Sequence, residues 1–176
     1  MHPARNSHLL ILSLAATGLL TAMPTLSAPI LDGQVLGGGA PIANSTVTLW
    51  AAGDRAPKLL GQARSGADGR FTIPAHATVA GSSLYLVAQG GEPTANKSVG
   101  NNTAIALMAV LGNKPPARVT INEMTTVASV WTHNQFLDGS ALSGPPLSLG
   151  IAAGNVPNFV DPQIGGYGSM IQSDLN

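Results

Sequence analysis

The chain has 176 residues, with 8 Lys+Arg against 8 Asp+Glu, no Cys and a formal net charge of zero. Charged residues make up only 9%, while Gly (21) and Pro (13) are plentiful and aromatics reach 4%; an ordinary soluble domain carries roughly 25% charge. The missing basic stripe excludes a nucleic-acid binder, the low charge excludes a polyelectrolyte tail, and the missing Cys excludes disulfide frameworks and thiolate metal sites. Residues 1–28 read as a secretory signal peptide: His2 and Arg5 head an uncharged apolar run from Leu9 to Met23, then small residues follow. A spanning helix wants about 20 continuous apolar residues, and Pro24 interrupts too early. Cleavage after Ala22, Ser27 or Ala28 fits; the alternative is an uncleaved N-terminal anchor. The expected product is secreted or held at the cell surface, with no membrane span after signal removal.

From residue 29 to 112 the pattern is short alternating runs divided by turn residues, which predicts an antiparallel β domain. The first strand is 30–36, closed by Gly37-Gly38-Gly39. Stretch 45–52 alternates Val47, Leu49 and Ala51 against Thr46, Thr48 and Trp50. Further strands fall at 59–64, 70–74, 84–89 and 104–111. Asp68-Gly69 reads as a hairpin turn, because Gly takes positive φ without strain. In 113–140 the period changes to that of a helix. Thr120 and Glu123 match a capping box, and Met124, Val127, Ala128 and Trp131 follow at helical spacing. Asn122, Thr126, Ser129 and His133 occupy another face, so 121–137 reads as one amphipathic helix. Residues 141–176 read as an irregular Gly/Pro-rich tail, with weak candidates only at 147–153 and 158–160.

Several of these runs carry a family resemblance. Gly33-Gln34-Val35, then Pro41-Ile42-Ala43-Asn44-Ser45-Thr46-Val47-Thr48-Leu49-Trp50, then Ala67-Asp68-Gly69-Arg70-Phe71, then Leu84-Tyr85-Leu86-Val87-Ala88 resemble the carboxypeptidase-regulatory-like domain and the related B-type repeats of collagen-binding adhesins. Ser45 departs from the usual Ala or Val. The resemblance covers about a third of the chain and implies a transthyretin- or immunoglobulin-like sandwich. A weaker one joins 104–111, 119–128 and Asn158-Phe159-Val160-Asp161-Pro162 to a segment of large exported bacterial proteins. It implies a shortened copy of such a protein's N-terminal part.

Chemistry is sparse in the sequence. His76 and His133, with Tyr85 and Tyr167, match the ligand types of intradiol dioxygenases, yet the two His stand 57 positions apart. A metal site needs convergent ligands and supporting partners. The zinc carboxypeptidase pattern H-x-x-E, a G-x-S-x-G elbow and a P-loop are all absent from the sequence. So is the terminal Y-R-G-S of the purine-product hydrolases that resemble transthyretin. Lys58, Lys97 and Lys114 fall in expected loops, against the strand Lys of a self-linking adhesin repeat. Asp68 lacks D-x-D-x-D neighbours, which favours a turn role over calcium. The expectation is a non-catalytic exported module with no cofactor and a structural or binding role. Its partner would be carbohydrate or protein at the cell surface. Trp50 and Tyr85 are the candidate ligand contacts; Trp50 either anchors a ligand from the outer face or packs on Tyr85 or the helix. A metal-dependent enzyme and a decayed fragment of a secreted repeat protein are the alternatives.

Overall fold

The computed structural model describes residues 30–74 and 80–174; the leader, its cleavage positions and His76 lie outside them. The described chain is mainly β. Its strands are β1 (Ile30–Gly37), β2 (Ala40–Ala43), β3 (Thr46–Ala52), β4 (Lys58–Arg64), β5 (Arg70–Pro74), β6 (Ser83–Gln89), β7 (Glu92–Pro93), β8 (Ala106–Gly112) and β9 (Arg118–Ile121). Then follow helix α1 (Glu123–His133), the hairpin β10 (Leu137–Asp138) and β11 (Ala141–Leu142), and helix α2 (Pro146–Phe159). A second small hairpin, β12 (Val160–Asp161) and β13 (Gly166–Tyr167), precedes helix α3 (Ser169–Asp174).

Two sheets form the body. In one, β1 pairs antiparallel with β5 and β2 and parallel with β9, and β2 pairs with β7. In the other the order is β4-β3-β6-β8, all antiparallel. Alternation decides which side chains meet between them. Val47, Leu49 and Ala51 of β3 and Leu84, Leu86 and Ala88 of β6 join Leu31, Val35, Ile42, Phe71, Ile73, Val119 and Ile121 of the first sheet in one buried cluster. Buried Ser65 ties the strands beside it, donating from Oγ to the Ile42 carbonyl and accepting from the Ser45 N–H, both at 2.8 Å.

The four-stranded sheet is buried on its other face as well. Tyr85 and Val87 of β6 and Met108 and Val110 of β8 meet Ala128 of α1, Leu142 of β11, Leu149 and Val156 of α2, and Val160 of β12. The helices are therefore a third layer on the sheets. This corrects the expected tail: residues 141–174 hold α2 and α3 rather than an irregular run, so the described residues have three α-helices where one helix was expected. Gly150, Gly154 and Pro157 lower the intrinsic helix propensity of α2. Burial of Leu149, Ala152 and Val156, spaced three and four apart, overrides it.

Three local readings also change. Gly38 and Gly39, at φ 58° and 78°, make a two-residue hairpin from β1 into β2, a strand the sequence reading did not separate. Asp68-Gly69 does not join a hairpin, because β4 pairs with β3 whereas β5 pairs with β1. The turn carries the chain from one sheet to the other, and Asp68 Oδ1 shapes it by accepting the Arg70 N–H at 3.0 Å. The helix starts later than expected, since Thr120 and Ile121 belong to β9. Its N-cap is Asn122, whose Oδ1 accepts from the Thr125 N–H while Thr125 Oγ1 accepts from the Asn122 N–H, both at 2.9 Å.

Candidate functional site: an apolar face on the helical layer

Trp50 and Tyr85, the residues expected to meet a ligand, pack on each other. Their rings lie 6.5 Å apart at 17° on neighbouring strands. Tyr85 is only 1% exposed, and its hydroxyl accepts the Leu142 N–H at 3.3 Å. Burial raises its pKa, and the Leu142 bond partly offsets that. Tyr85 is thus closed to an external ligand and fixes the β11 segment instead. Trp50 is half-buried and donates from Nε1 to Thr48 Oγ1 at 2.8 Å. Trp50 thus packs on Tyr85 while part of its surface stays open to solvent.

The residues that do face outward lie on α1, and the reason is the edge of the sheet. Among the described residues strand β8 pairs with β6 on one side only, which leaves a row of main-chain groups needing partners. Helix α1 supplies them with side-chain hydroxyls one turn apart. Thr126 Oγ1 accepts the Met108 N–H, and Ser129 Oγ accepts the Val110 N–H, each at 2.9 Å. An amphipathic helix ordinarily turns its apolar stripe to the core. Here the polar face is drawn inward: Thr125, Ser129 and His133 are at most 1% exposed. The stripe read from the sequence is split. Ala128 stays buried and Met124 half-buried, while Val127 is 67% and Trp131 73% exposed.

His133 closes the inner face at the last turn of α1. Its Nδ1 lies 3.1 Å from the Ser129 carbonyl and 2.8 Å from Thr132 Oγ1, and Nε2 has no hydrogen-bond partner among the described residues. Burial holds its pKa below the ordinary histidine range, opposed by the main chain at Ser129 and Leu149. No group of three or more His, Asp or Glu side chains able to hold a metal occurs among the described residues. His133 therefore reads as a packing group between α1 and α2.

Beside Val127 and Trp131 the chain brings up a second wall. Thr120 donates from Oγ1 to the Gln163 carbonyl, and Asn122 from Nδ2 to the Gly165 carbonyl, both at 2.9 Å. These bonds anchor the β12–β13 turn against the start of α1, and α3 follows directly from β13. The result is an open cleft of about 330 Å³ between α1, Phe159 at the end of α2, and Ile171 of α3. Its lining is apolar apart from Glu123, whose carboxylate also accepts the Gly38 N–H at 2.9 Å. The arrangement offers van der Waals contact and little hydrogen bonding. The sequence signal for this face was the Met124–Val127–Trp131 spacing, which does not by itself say which way the helix is turned.

No helix among the described residues is long and apolar enough to cross a membrane. No family model matches the chain, and no curated protein matches it. Among solved structures, a 9R-lipoxygenase from Cyanothece is similar at 19% identity and a TM-score of 0.34, over 61% of this chain and 18% of that one. The chain thus spans less than a fifth of that protein, and a likeness this low carries no argument about fold or activity.

Proposed function

We propose that this is a non-catalytic exported module, a transthyretin- or immunoglobulin-like sandwich with a helical layer, that binds a protein at the cell surface or outside the cell. The observation that carries the binding role is the outward apolar face of α1. Val127 and Trp131 are more than half exposed, and Phe159 (37%) lines the same cleft. Contiguous exposed apolar surface of this kind is costly in water and commonly marks an interaction site. Protein is favoured over carbohydrate because a sugar needs several convergent polar groups beside an aromatic ring, whereas this cleft offers one carboxylate. The apolar leader-like run at the N-terminus supports export, and the Gly33-Gln34-Val35 and Asp68-Gly69-Arg70-Phe71 motifs support the sandwich family.

Cell fractionation tests this reading. The full chain expressed in a bacterial host is expected outside the cytoplasm, beginning at Met23, Ala28 or Pro29 by mass. Wild type is expected to be retained on the cell surface and the Trp131→Ser chain to be released. Equal release of both chains refutes the binding role, and an unprocessed cytoplasmic chain refutes export.

A further inference from the structure

Resting on the binding-module reading, we propose that the α1–α3 cleft is the docking groove for a basic amphipathic helix of a protein partner. Shape gives the first argument. The α1 wall runs from Glu123 to Trp131, about 12 Å along the helix, and Phe159 and Ile171 form the facing side. A channel walled by helices and floored by apolar side chains receives a helix through its i, i+3, i+4, i+7 stripe. Met124 in the wall is unbranched and adapts to an incoming side chain at little cost.

Charge selects the class of helix. Residues 119–174 hold four acidic residues, Glu123, Asp138, Asp161 and Asp174, and no Lys or Arg. Residues 30–118 hold seven basic and four acidic ones. Two acids bear on the groove. Glu123 lines it at one end. Asp174 is exposed and lies three residues beyond Ile171 on α3, hence on the same side of that helix. Lys114 lies by α3 as well, but in a separate cleft with Ser169 and Gln172, on the opposite side of α3 from Ile171.

The same charges argue against the other occupants. A second copy docked face to face would bring the same patch, with Glu123 and Asp174 and no Lys or Arg from residues 119–174 to answer them, since a two-fold contact pairs a patch with itself. An anionic lipid surface meets a groove lined by Glu123 and by no basic residue, Lys114 lying in the clefts beyond α2 and α3. A helix with an apolar stripe flanked by Lys or Arg satisfies both the cleft and its rim.

Anisotropy titrations with two labelled peptides of about 14 residues, the length of four helical turns, test the proposal on the purified exported chain. Both carry Leu at i, i+3, i+4 and i+7; one has Lys on the flanks and the other Glu. The Lys peptide is expected to bind about tenfold or more tightly than the Glu peptide at low salt, and the gap should close as salt rises. Val127→Ser, at an exposed position that leaves the fold intact by circular dichroism, should weaken the Lys peptide by about tenfold, the scale of one buried apolar contact. Glu123→Gln, which keeps the acceptor for Gly38, combined with Asp174→Asn should shrink the preference for Lys.

Equal binding of both peptides, binding of neither, or binding indifferent to Val127→Ser overturns the proposal. So does a concentration-dependent dimer in sedimentation that Val127→Ser dissolves, or capture of the chain by phosphatidylglycerol vesicles in preference to the peptide. If Trp131→Ser still abolishes surface retention while no peptide binds, the partner class alone is wrong and the module reading stands.

Discussion

The two faces of the four-stranded sheet are buried by different means. Between the sheets the contacts are aliphatic with one aromatic, chosen by strand alternation, with the Ser65 hydroxyl the directional tie at one end. Under the helices, the contact also uses Thr126 and Ser129 on the edge of β8, the Tyr85 hydroxyl on Leu142 and the buried ring of His133. The first face could hold almost any well-sized apolar set. The second is specified by directional bonds, and it leaves apolar side chains on the outside of α1. The molecule thus keeps its sheets generic and its helical layer particular.

Matched truncations probe the difference at its largest. Leu86 in the inter-sheet cluster and Leu149 under α2 are both fully buried. Each Leu→Ala change is expected to cost about 2–5 kcal/mol, read as a shift in urea midpoint. Because β6 and β8 contribute side chains to both clusters, both variants should unfold in one transition seen alike by near- and far-ultraviolet circular dichroism. An early helical transition in Leu149→Ala, with the sheets left intact, would separate the two layers.

Much of the inter-sheet region was legible and little of the helical layer was. The alternation at Val47, Leu49 and Ala51 needs no knowledge of partners, since the pleat puts every second residue on one side. Gly33-Gln34-Val35 and Arg70-Phe71 are separate motif pieces in the sequence, and the fold sets Gly33 directly opposite Phe71. The orientation of α1 was not legible, because it follows from unpaired N–H groups on β8, a strand ten residues or more away. The capping pattern misled for a similar reason. Thr120-x-x-Glu123 and Asn122-x-x-Thr125 both suit a helix start, and the demand for Ile121 in the core decided between them. In α2, local propensity pointed to a loop and packing on the sheet prevailed.

The Gly33–Phe71 contact gives the next prediction. A Cβ on Gly33 would sit 2.3 Å from the Phe71 ring and 2.7 Å from the Val119 carbonyl oxygen. Gly33→Ala must therefore displace the ring or spread β1 from β9, at about 1–3 kcal/mol. Pairing it with Phe71→Leu, which withdraws the ring, should recover part of the loss in a double-mutant cycle. Additive losses would mean that the backbone contact with Val119 dominates.

His133 makes the helical layer the acid-sensitive one. Its folded-state pKa lies below its unfolded value of about 6.5. As pH falls through that value the unfolded chain takes up a proton that the folded chain refuses. Stability present at neutral pH is therefore lost downward from about 6.5, at no more than about 1.4 kcal/mol per pH unit, and the loss levels off once the folded-state pKa is passed. The facing helix α2 carries no ionisable side chain to offset it. His133→Gln should flatten the pH dependence between about 5 and 6.5, the lower half of the histidine range, measured as melting temperature against pH. Retention of the full slope in that variant would assign it to another group.

The smallest expected effect runs in the opposite direction and depends on the same contrast. Glycine between the sheets is required by close approach, as at Gly33, but glycine in α2 is not. A Cβ at Gly150 or Gly154 meets nothing within 4 Å, and both positions are exposed on the helix. Alanine there leaves every folded contact in place and narrows the unfolded ensemble, so each change should stabilise the chain by about 0.4–1 kcal/mol. The two lie one turn apart on the same helix face, so the double variant also reads any coupling between the two new methyl groups. Both glycines line a cleft with Leu111, Leu147 and Ile151, apart from the groove at Trp131. Peptide affinity at that groove should accordingly stay unchanged while the melting temperature rises. A lower melting temperature in either variant would show that α2 holds its place through the outer glycine face rather than through Leu149 and Val156 alone.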